Sequence, residues 1–553
     1  MREAPEAAAR VRRLPPLEML ALALLAMLPV MPYLSYGLRV GVPRFAVAGD
    51  FALLEQATRH VWKADALLGP YSRFHWHHPG PLFFYLAAPF EAMFGTASTG
   101  LFVGTCAINA CAAATLVCMV RVCATRVHAI AALAVMLAWF AAFGNVAANP
   151  WNPLVIVIPL MTYLVACALA ARGESRAVIP AALFGALAAS THVAAITTVL
   201  VAGAASAVGF AIRRRRDLVQ RDKRRIAIGA AVVLLALTPP VVDQLTESPG
   251  NLRTLVHFFS HREAPSKSFS TALRNSVIAT SWMPDRLISR TLPDEGWIAH
   301  GMRWDAMPAK VSRTARTLAF VHVLLVTLAA LVAFRRDTAS LAIVAFGVLG
   351  ELVALFALRS IVGDDLHYLV FWTTAASSVA WIGAFSAVFR AASALKTGAK
   401  GQRLVRGSLV VCGLLAAAIA TSFQGRWLAR NPAMPGSYPG MPPTMSALHA
   451  GLRERLARET ATPVIHLEGA YDLAQAMVLE LEKDSLDVRV AETDRWNFTG
   501  VRSGAGLSRP LHVWFSQPAL PLATAPCLER LVEHAGSAVY VAPAELPSCP
   551  PQP

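Results

Sequence analysis

The stretch 17–38, LEMLALALLAMLPVMPYLSYGL, decides the class of fold. Its only charged side chain is Glu18, and about 20 apolar residues are enough for a helix to cross a hydrocarbon core roughly 30 Å thick. Arg10, Arg12 and Arg13 precede it, and no small-residue cleavage pattern follows. Because the apolar part is also longer than the core of a signal peptide, we expect an uncleaved membrane anchor.

The composition of the whole chain extends this prediction. Of 553 residues, 56% are hydrophobic and 15% are charged, and the mean hydropathy is +0.49, which is far more apolar than a soluble domain. The sequence therefore predicts a polytopic α-helical membrane protein. We expect eleven spans, at about 17–38, 99–120, 127–146, 153–171, 177–193, 195–212, 226–245, 313–334, 338–358, 366–389 and 407–423.

The net charge of +16 does not indicate nucleic-acid binding. Much of the excess lies in short loops between apolar spans, which is the positive-inside pattern of cytoplasmic loops. These loops read RVRR, RVCATR, RRRRDLVQRDKRR, AFRRD and KTGAKGQRLVR. With them inside the cell, the N-terminus is cytoplasmic and the C-terminus is external.

This topology leaves two external loops, at about 39–98 and 246–312, within a membrane domain that we place at 1–423. In the first loop, GDFALLEQATRHVWKAD (49–65) predicts a short amphipathic helix, and PLFFYLAAPFEAMFG (81–95) predicts an apolar helix lying along the membrane. The second loop carries Trp282, Trp297 and Trp304 among polar residues, a composition suited to an interfacial loop over a binding cavity.

The C-terminal part has a different character. A Pro/Gly-rich linker (424–443) precedes a segment (444–553) in which PVIHLEG, LDVRVAE, PLHVWFS and SAVYVAP are typical of strands, with helical patterns at about 471–483 and 525–535. We predict a small external α/β domain. Cys527 and Cys549 lie in this exported part, where a disulfide is allowed but not required, whereas the other six cysteines look like apolar packing residues.

Several ionisable residues fall in the outward halves or at the outer mouths of predicted spans, where charge is costly and therefore informative. They either converge with Asp50 on one outward-opening cavity or are helix-end groups wetted by interface water. For Glu351 we favour a functional or tightly paired role, whereas His322 is better explained as a packing residue. The group consists of His192, Asp243, Glu351, Asp364, Asp365 and His367.

Asp50 is the first candidate for acid–base chemistry. It follows Gly49 and precedes an apolar-periodic run, so it is also a candidate helix N-cap. Glu55 and Arg59 are four residues apart, which predicts a surface ion pair. Asp50 and Glu55 are five apart and do not share a helical face, so they do not form a carboxylate pair by themselves.

The run YSRFHWHHPGP (71–81) offers several interpretations. His75 and His77 alternate, so in an extended segment they point the same way and could bind a divalent ion, although the local sequence supplies no third ligand. His78, held before Pro-Gly-Pro, and the nearby Arg73 suit a phosphate instead. In that case His75, Trp76 and His77 are left as acceptor or interface contacts.

These residues together resemble a known family. An anchor helix, an external Asp and, about thirty residues later, His-Pro-x-Pro-Leu-aromatic resemble polytopic GT-C glycosyltransferases of the dolichyl-phosphate-mannose and aminoarabinose transferase type. The resemblance implies that Asp50 is the general base and that His78 contacts the lipid phosphate. DLHYLVFW (365–372) resembles a late family segment, with His367 where Arg is usual and Tyr368 matching.

The sequence departs from this family at three places. Phe51 follows Asp50 where Glu is common, and Gly80 interrupts the usual Pro-Pro. The next external loop, GNVAANPWNP (144–153), offers Asn145, Asn149 and Asn152 instead of a second carboxylate, which weakens a metal-dependent version of the chemistry.

The resemblance implies an inverting enzyme of the bacterial inner membrane that moves a sugar from a polyprenyl-phosphate donor to a lipid or glycan acceptor at the periplasmic face. Trp76, Trp282 and Trp304 would stack on sugar rings or anchor the interface. The rival functions are a transporter or flippase of lipid-linked glycans and a non-catalytic envelope assembly protein. Transporters concentrate polar residues at the bilayer midplane, whereas this sequence gathers them outward, which favours the enzyme.

Overall fold

The computed structural model describes residues 15–214, 219–261, 265–289, 306–394, 399–520 and 528–543. Trp297 and Trp304, predicted as interfacial or sugar-stacking residues, lie outside these ranges, and so do Cys527 and Cys549 with their optional disulfide.

The membrane region is built from long apolar helices, which confirms the predicted polytopic class. Within the described ranges, nine helices are long and apolar enough to span a membrane. The segments predicted as further spans are helical as well: Ser175–Thr191 is a shorter apolar helix, and Ala399–Arg430 is one continuous helix. The nine are Pro16–Arg39, Thr99–Cys123, Arg126–Ala148, Asn152–Ala171, Ala195–Arg214, Gln220–Thr246, Arg313–Ala333, Thr338–Leu358 and His367–Ser393.

The individual helices of this region are numbered along the chain. Short 3₁₀ turns continue several of them, at Leu28–Val30, Val61–Lys63, Gly144–Ala148 and Ser175–Ala177. The α-helices are α1 Pro16–Met27, α2 Met31–Arg39, α3 Asp50–His60, α4 Leu82–Ala92, α5 Thr99–Cys123, α6 Arg126–Phe143, α7 Asn152–Val155, α8 Val157–Ala171, α9 Val178–Thr191, α10 Ala195–Arg214, α11 Gln220–Thr246, α12 Asn251–Ser260, α13 Phe269–Ser289, α14 Arg313–Ala333, α15 Thr338–Leu358, α16 His367–Phe371, α17 Thr374–Ala394 and α18 Ala399–Arg430.

The core of the bundle lies around α8, whose apolar window is 94% buried. Helices α15 and α17 approach each other closely, because Gly347 lies against Ala380 and Gly383 lies against Val344. Small residues allow such contacts between membrane helices, where close van der Waals packing replaces the hydrophobic effect.

The first external loop folds tightly onto the rest of the molecule. Helix α3 was predicted as an amphipathic surface helix, but every residue of 51–58 is buried. The reason is tertiary, because α3 packs between α4 and a helix of the C-terminal domain. A two-stranded hairpin, β1 Tyr71–Ser72 and β2 Trp76–His77, follows α3 and precedes α4.

The C-terminal domain is a six-stranded sheet with helices, which confirms the small α/β domain. The sheet order is β5-β4-β3-β6-β8-β7, with parallel pairing from β5 to β6 and antiparallel pairing at β8 and β7. Helix α20 connects the parallel strands β3 and β4 and packs against α3. The elements are α19 Pro442–Glu459, β3 Thr462–Gly469, α20 Tyr471–Lys483, β4 Arg489–Val490, a 3₁₀ turn Glu492–Asn497, β5 Arg502–Ser503, β6 Pro510–Ser516, β7 Glu529–His534 and β8 Ser537–Pro543.

One element of this domain differs from the prediction. The helix expected at 525–535 is wrong, because the described part of that segment forms strand β7. Ala535 and Gly536 both have positive φ, 49° and 77°, which is the backbone of a two-residue hairpin turn. The turn returns the chain as β8, and β7 becomes an edge strand.

Candidate active site around Asp50

The hairpin β1–β2 sorts the aromatic and histidine residues of 71–78 onto two faces. Side chains alternate along an extended strand, whereas His75 lies in the turn between β1 and β2, with a φ of +62°. His75 and His77 both contact Trp496 of the C-terminal domain: the His75 ring stacks on its ring at 4.1 Å, and His77 Nε2 lies 2.7 Å from its backbone oxygen. Trp76 and His78 point to the other side, where they line a cavity.

Asp50 lies at the first residue of α3 and does not cap it, because Gly49 is the N-cap and no side chain bonds the free amides. The carboxylate instead accepts two hydrogen bonds from neutral donors. The Tyr71 hydroxyl donates to Oδ1 at 2.6 Å, and the Trp151 indole N–H donates to Oδ2 at 2.7 Å. Burial raises the pKa of Asp50, and the bonds from Tyr71 and Trp151 oppose that rise.

The loop 144–153 delivers Trp151 to this position. The Asn149 side-chain oxygen accepts the Trp151 backbone N–H at 2.9 Å, which is a local Asx turn. The turn places the Trp151 indole beside Asp50 and the Asn152 amide beside His78. The segment that lacks a second carboxylate therefore contributes hydrogen-bond donors to the site.

His78 is buried and held at both ring nitrogens. The Val193 backbone N–H donates to Nδ1 at 2.9 Å, and the Asn152 side-chain amide lies 2.7 Å from Nε2. Burial, followed by the neighbouring rings of His192 and His77, keeps the pKa of His78 well below its ordinary value. Both ring nitrogens of His78 thus have partners within the protein, and the expected contact between His78 and a lipid phosphate stays a prediction.

Asp50 and His78 line a single cavity of about 500 Å³. Part of its lining is polar or aromatic, with Tyr71, Trp76, Trp151 and Tyr368. The apolar part of the lining comes from the ends of several helices and the loops beside them; it includes Val193, Ala194, Ile196, Ala357, Ile361, Val362 and Leu369. Phe258 and Phe259 of α12 also line the cavity, and both contact Trp76.

Among the described residues that line the cavity, one carries a permanent positive charge. It is Arg73, at the turn of the hairpin. Its guanidinium lies beside Gly363, in the loop that leads to Tyr368. The Tyr368 ring packs on Trp151 with a centroid distance of 4.6 Å. His192 adds a buried Nε2 that makes no hydrogen bond within the described part of the chain. The structure thus brings Asp50, Arg73, Trp76, His78, His192 and Tyr368 together.

Glu55 does not reach this cavity and belongs to a separate network. Its side chain is 0% exposed and bonds Lys483 of α20 at 2.7 Å and Arg59 at 2.9 Å. Lys483, also 0% exposed, bonds Glu480 at 2.9 Å, and Arg59 pairs with Glu91. Although burial opposes ionisation, Lys483 and Arg59 hold the pKa of Glu55 below its ordinary value. The predicted Glu55–Arg59 pair exists, but it is buried rather than on the surface.

Asp243 and Glu351 also have structural partners away from the cavity. Asp243 accepts the backbone N–H of Asn251 at 2.8 Å, and Asn251 in turn bonds the backbone N–H and C=O of His77, each at 2.8 Å. Asp243 therefore supports the hairpin from behind. Glu351 lies 2.8 Å from His322 between α15 and α14, which explains both residues as a hydrogen-bonded pair within the helices.

The segment 364–367 is divided between solvent and core. Asp364 is exposed, and Asp365 pairs with Arg274 at 3.1 Å and Lys267 at 3.5 Å. His367 is buried, and its ring stacks on the Trp282 ring with a centroid distance of 5.8 Å. Neither residue is among those that line the cavity. Within the described ranges, no group of three His, Cys, Asp or Glu side chains is arranged to hold a metal ion.

Sequence reasoning missed the residues that hold Asp50 and His78. Tyr71 is the first residue of the histidine-rich run 71–81, and Trp151 and Asn152 lie in Asn-Pro-Trp-Asn-Pro (149–153). Sequence analysis had identified both segments, but not these residues. The signal was the density of Asn, Pro and aromatic residues in an external loop, which favours a fixed turn. The carboxylate or ring that each of these residues contacts could be identified only from the tertiary structure.

Comparison with known proteins adds a fold-level result. No protein-family model matches the sequence, and no curated protein matches it either. The structure is similar to the crystal structure of ArnT from Cupriavidus metallidurans bound to undecaprenyl phosphate, with a TM-score of 0.54 and 14% identity over 97% of this chain and 99% of that chain. Against the apo state of the same protein, the TM-score is 0.51 with 13% identity over the same shares.

This chain has the GT-C fold. The similarity covers the membrane helices and the C-terminal domain alike, since it spans nearly the whole of both chains. The GT-C fold expected from the resemblance is therefore confirmed. Within this fold, the cavity around Asp50 is our candidate active site.

Proposed function

We propose that this GT-C protein is an inverting glycosyltransferase that moves a sugar from a polyprenyl-phosphate donor to an acceptor at the periplasmic face of a bacterial inner membrane. One observation carries the proposal. Asp50, a carboxylate bonded only by neutral donors among the described residues, faces a cavity that also contains a cation and apolar lining residues. The bound undecaprenyl phosphate of the structurally similar ArnT supports a donor of this class.

The apolar part of the lining suits the lipid tail of such a donor. Helix α10 lines the cavity with Ile196 and Thr197 in its first turn. One turn later it exposes Leu200 and Val201 on its outer surface. A polyprenyl chain can therefore remain against membrane-exposed helix surface while its phosphate enters the cavity, so the enzyme need not extract the lipid.

Arg73 is our candidate for the phosphate. An arginine guanidinium keeps its charge and can bind phosphate oxygens in a bidentate manner. As the bond between the anomeric carbon and the phosphate oxygen breaks, its electron pair leaves with the phosphate, and Arg73 would stabilise that charge. His78 would instead hold the Asn152 amide and the Val193 backbone in place.

Asp50 is our candidate base. It would accept the proton of an acceptor hydroxyl while the hydroxyl oxygen bonds to the anomeric carbon, which inverts that carbon and releases polyprenyl phosphate. Burial favours this role, since a raised pKa makes a carboxylate a better proton acceptor. Tyr71 and Trp151 would fix the carboxylate in one orientation.

The proposal is tested by mass spectrometry of lipids and envelope glycans from a strain that lacks the gene. We expect one polyprenyl-phosphate sugar to accumulate and one glycan modification to disappear, with both changes reversed by the wild-type gene. Unchanged lipid and glycan fractions would contradict the proposed reaction. A direct assay uses the purified protein with undecaprenyl phosphate, for which Arg73→Ala should bind more weakly than Arg453→Ala, an exposed arginine outside the cavity.

A further inference from the structure

A second cavity, of about 650 Å³, lies where the outer end of α18 and the linker meet the C-terminal domain. The membrane side contributes Ala48, Trp427 and Arg430. The C-terminal domain contributes Asp472, Gln517 and Ser537. We call it the interface cavity. Its size is within the range of pockets that bind small molecules or a few sugar units.

The interface cavity adjoins the catalytic carboxylate. Asp50 lines the first cavity, and Ala48, two residues earlier, lines this one. Gly49 between them has φ +54°, and a Cβ on it would lie 2.7 Å from Asp472 Oδ1. Only glycine permits that close approach, and it brings the Asp472 carboxylate against the backbone of Gly49. Burial and then the charge of Asp50 raise the pKa of Asp472, as expected for nearby carboxylates.

Two residues that border the interface cavity carry buried polar atoms without partners among the described residues. Ser537 Oγ belongs to a side chain that is 1% exposed, and Trp427 Nε1 belongs to one that is 5% exposed; neither atom makes a hydrogen bond within the described residues. An unpaired buried polar group costs about 1–3 kcal/mol, so such atoms are commonly satisfied by a ligand or by water. Both residues border this cavity.

The charge and chemistry of the lining indicate the class of ligand. Arg430 and Asp472 are its only charged residues among those described, and they balance each other. Tyr438, Thr444 and Gln517 add hydroxyl and amide groups that both donate and accept. The remaining lining residues are mostly apolar, among them Ala433, Met434 and Leu473. A sugar, which carries neutral hydroxyl groups on an apolar ring, matches this mixture better than a phosphate, which needs excess positive charge.

From this combination we infer that the interface cavity binds the saccharide part of the acceptor and presents its hydroxyl toward Asp50. The inference rests on the proposed glycosyltransferase function and adds to it the class of acceptor and its binding site. It also gives the C-terminal domain a role, because Asp472 and Ser537 would be acceptor-binding residues. Asp472 would accept hydrogen bonds from sugar hydroxyls, and Ser537 and Trp427 would find the partners that they lack.

A kinetic experiment separates this site from the donor site. The transferase is titrated with a glycolipid extract from envelopes of the deletion strain, and undecaprenyl phosphate binding is measured in parallel. For Asp472→Asn and Ser537→Ala, we expect the half-saturating extract concentration to rise about tenfold, because the first removes the carboxylate charge that accepts from sugar hydroxyls and the second removes a hydroxyl. The dissociation constant for undecaprenyl phosphate should stay within about twofold of wild type, since neither residue lines the donor cavity.

Asp494→Asn is the matched control. Asp494 lies in the same domain, accepts the Leu467 backbone N–H at 3.0 Å and does not line the interface cavity. Both constants should remain near wild type for this variant. The inference would be overturned if Asp472→Asn and Ser537→Ala left the half-saturating extract concentration unchanged. It would also be overturned if they weakened undecaprenyl phosphate binding instead.

Photocrosslinking in cells tests the cavity without relying on transferase activity. The substitution Thr444→p-benzoylphenylalanine should yield an adduct that stains for carbohydrate, whereas Arg453→p-benzoylphenylalanine on the exposed side of α19 should not. No adduct at position 444, or one of protein or lipid without carbohydrate, would overturn the inference. A carbohydrate adduct at position 444, together with a wild-type protein that fails to bind undecaprenyl phosphate, would instead refute the proposed donor and leave the saccharide site standing.

Discussion

Asp50 and Glu55 lie on the same eleven-residue helix, yet their surroundings differ in one decisive respect. Glu55 is enclosed by cations, Lys483 at 2.7 Å and Arg59 at 2.9 Å. Asp50 is held by the neutral donors Tyr71 and Trp151, with no cation bonded to it in the described part of the chain. A carboxylate that is already neutralised gains little from taking a proton, whereas a buried carboxylate without a counter-charge is ready to accept one.

The difference also separates two roles of the C-terminal domain. At the middle of α3, Lys483 and Glu480 join the domain to the membrane region through buried ion pairs. At the start of α3, the same helix α20 brings Asp472 to the interface cavity, whose acceptor role remains our proposal. One helix would thus anchor the domain at one end and contribute to substrate binding at the other.

The largest expected effect is on catalysis. Asp50→Asn should lower transfer by about 10²- to 10⁴-fold, the usual contribution of a general base, with little change in thermal stability. Stability should persist because an amide oxygen can still accept the Trp151 N–H while the Tyr71 hydroxyl reverses to accept from the amide nitrogen. Transfer kinetics and a thermal-unfolding scan measure the two quantities. Activity within tenfold of wild type would remove Asp50 from the base position.

The second effect is on stability and concerns the buried ion-pair network of Glu55, Lys483 and Glu480. Lys483→Met leaves Glu55 and Glu480 without their shared buried cation, and removing one partner of a buried pair costs about 3–5 kcal/mol. We expect a clearly lower unfolding temperature than for Lys63→Met, whose side chain is 57% exposed. The double variant Glu55→Gln with Lys483→Met should lose less than the sum of the single losses, because neither change then leaves its partner charged and unpaired. Additive losses would show that the pair is not coupled.

The third effect is a shift in pH dependence. The Tyr71 hydrogen bond lowers the pKa of Asp50, so Tyr71→Phe should raise that pKa. Because only ionised Asp50 can act as a base, kcat/KM rises with pH through its pKa, and the acid limb of the profile should move to higher pH in the variant. Tyr85→Phe removes a hydroxyl that bonds the Ala66 carbonyl outside the cavity, and its profile should match wild type. A limb that stays in place or moves to lower pH would contradict this link.

The smallest effect is expected at Asp364, which separates two properties of Asp50: its burial and its lack of a cationic partner. Like Asp50, Asp364 forms no ion pair within the described ranges. Unlike Asp50, it is exposed to solvent. Asp364→Asn should therefore change the free energy of unfolding by no more than about 0.5 kcal/mol and leave transfer near wild type. Transfer assays and thermal unfolding in parallel check both values. A strong loss of activity would place Asp364 in substrate binding and weaken the assignment of the site to Asp50.

Particular residues show how far sequence reasoning reached in the site. Alternation in an extended segment predicted that His75 and His77 share a direction. His75 instead lies in the hairpin turn, with a φ of +62°, although both histidines contact Trp496. Spacing on a helix predicted the Glu55–Arg59 pair, which exists. It did not reveal that α20 would cover α3 and bury that pair, because helix periodicity describes one element and not what packs upon it.

Polar residues in predicted spans were harder to interpret. The sequence favoured a functional or tightly paired role for Glu351 and a packing role for His322, and the two residues satisfy each other across α15 and α14. Asp243 bonds the start of α12, and Asp365 bonds Lys267 and Arg274. The expectation that such groups converge on one cavity failed for these three carboxylates, because a costly charge needs only one good partner and the partner can be structural.

By itself, the sequence determined the class of protein, since long apolar windows must cross a membrane and alternating apolar strands after the linker must form a sheet. It also singled out Asp50 and the hairpin that follows it. Only the tertiary structure decided which carboxylate is neutralised, because Lys483 and Glu55 come from opposite ends of the chain. Hydrogen bonds between distant segments depend on how helices pack, and that packing decided that Tyr71 and Trp151, rather than cations, hold Asp50.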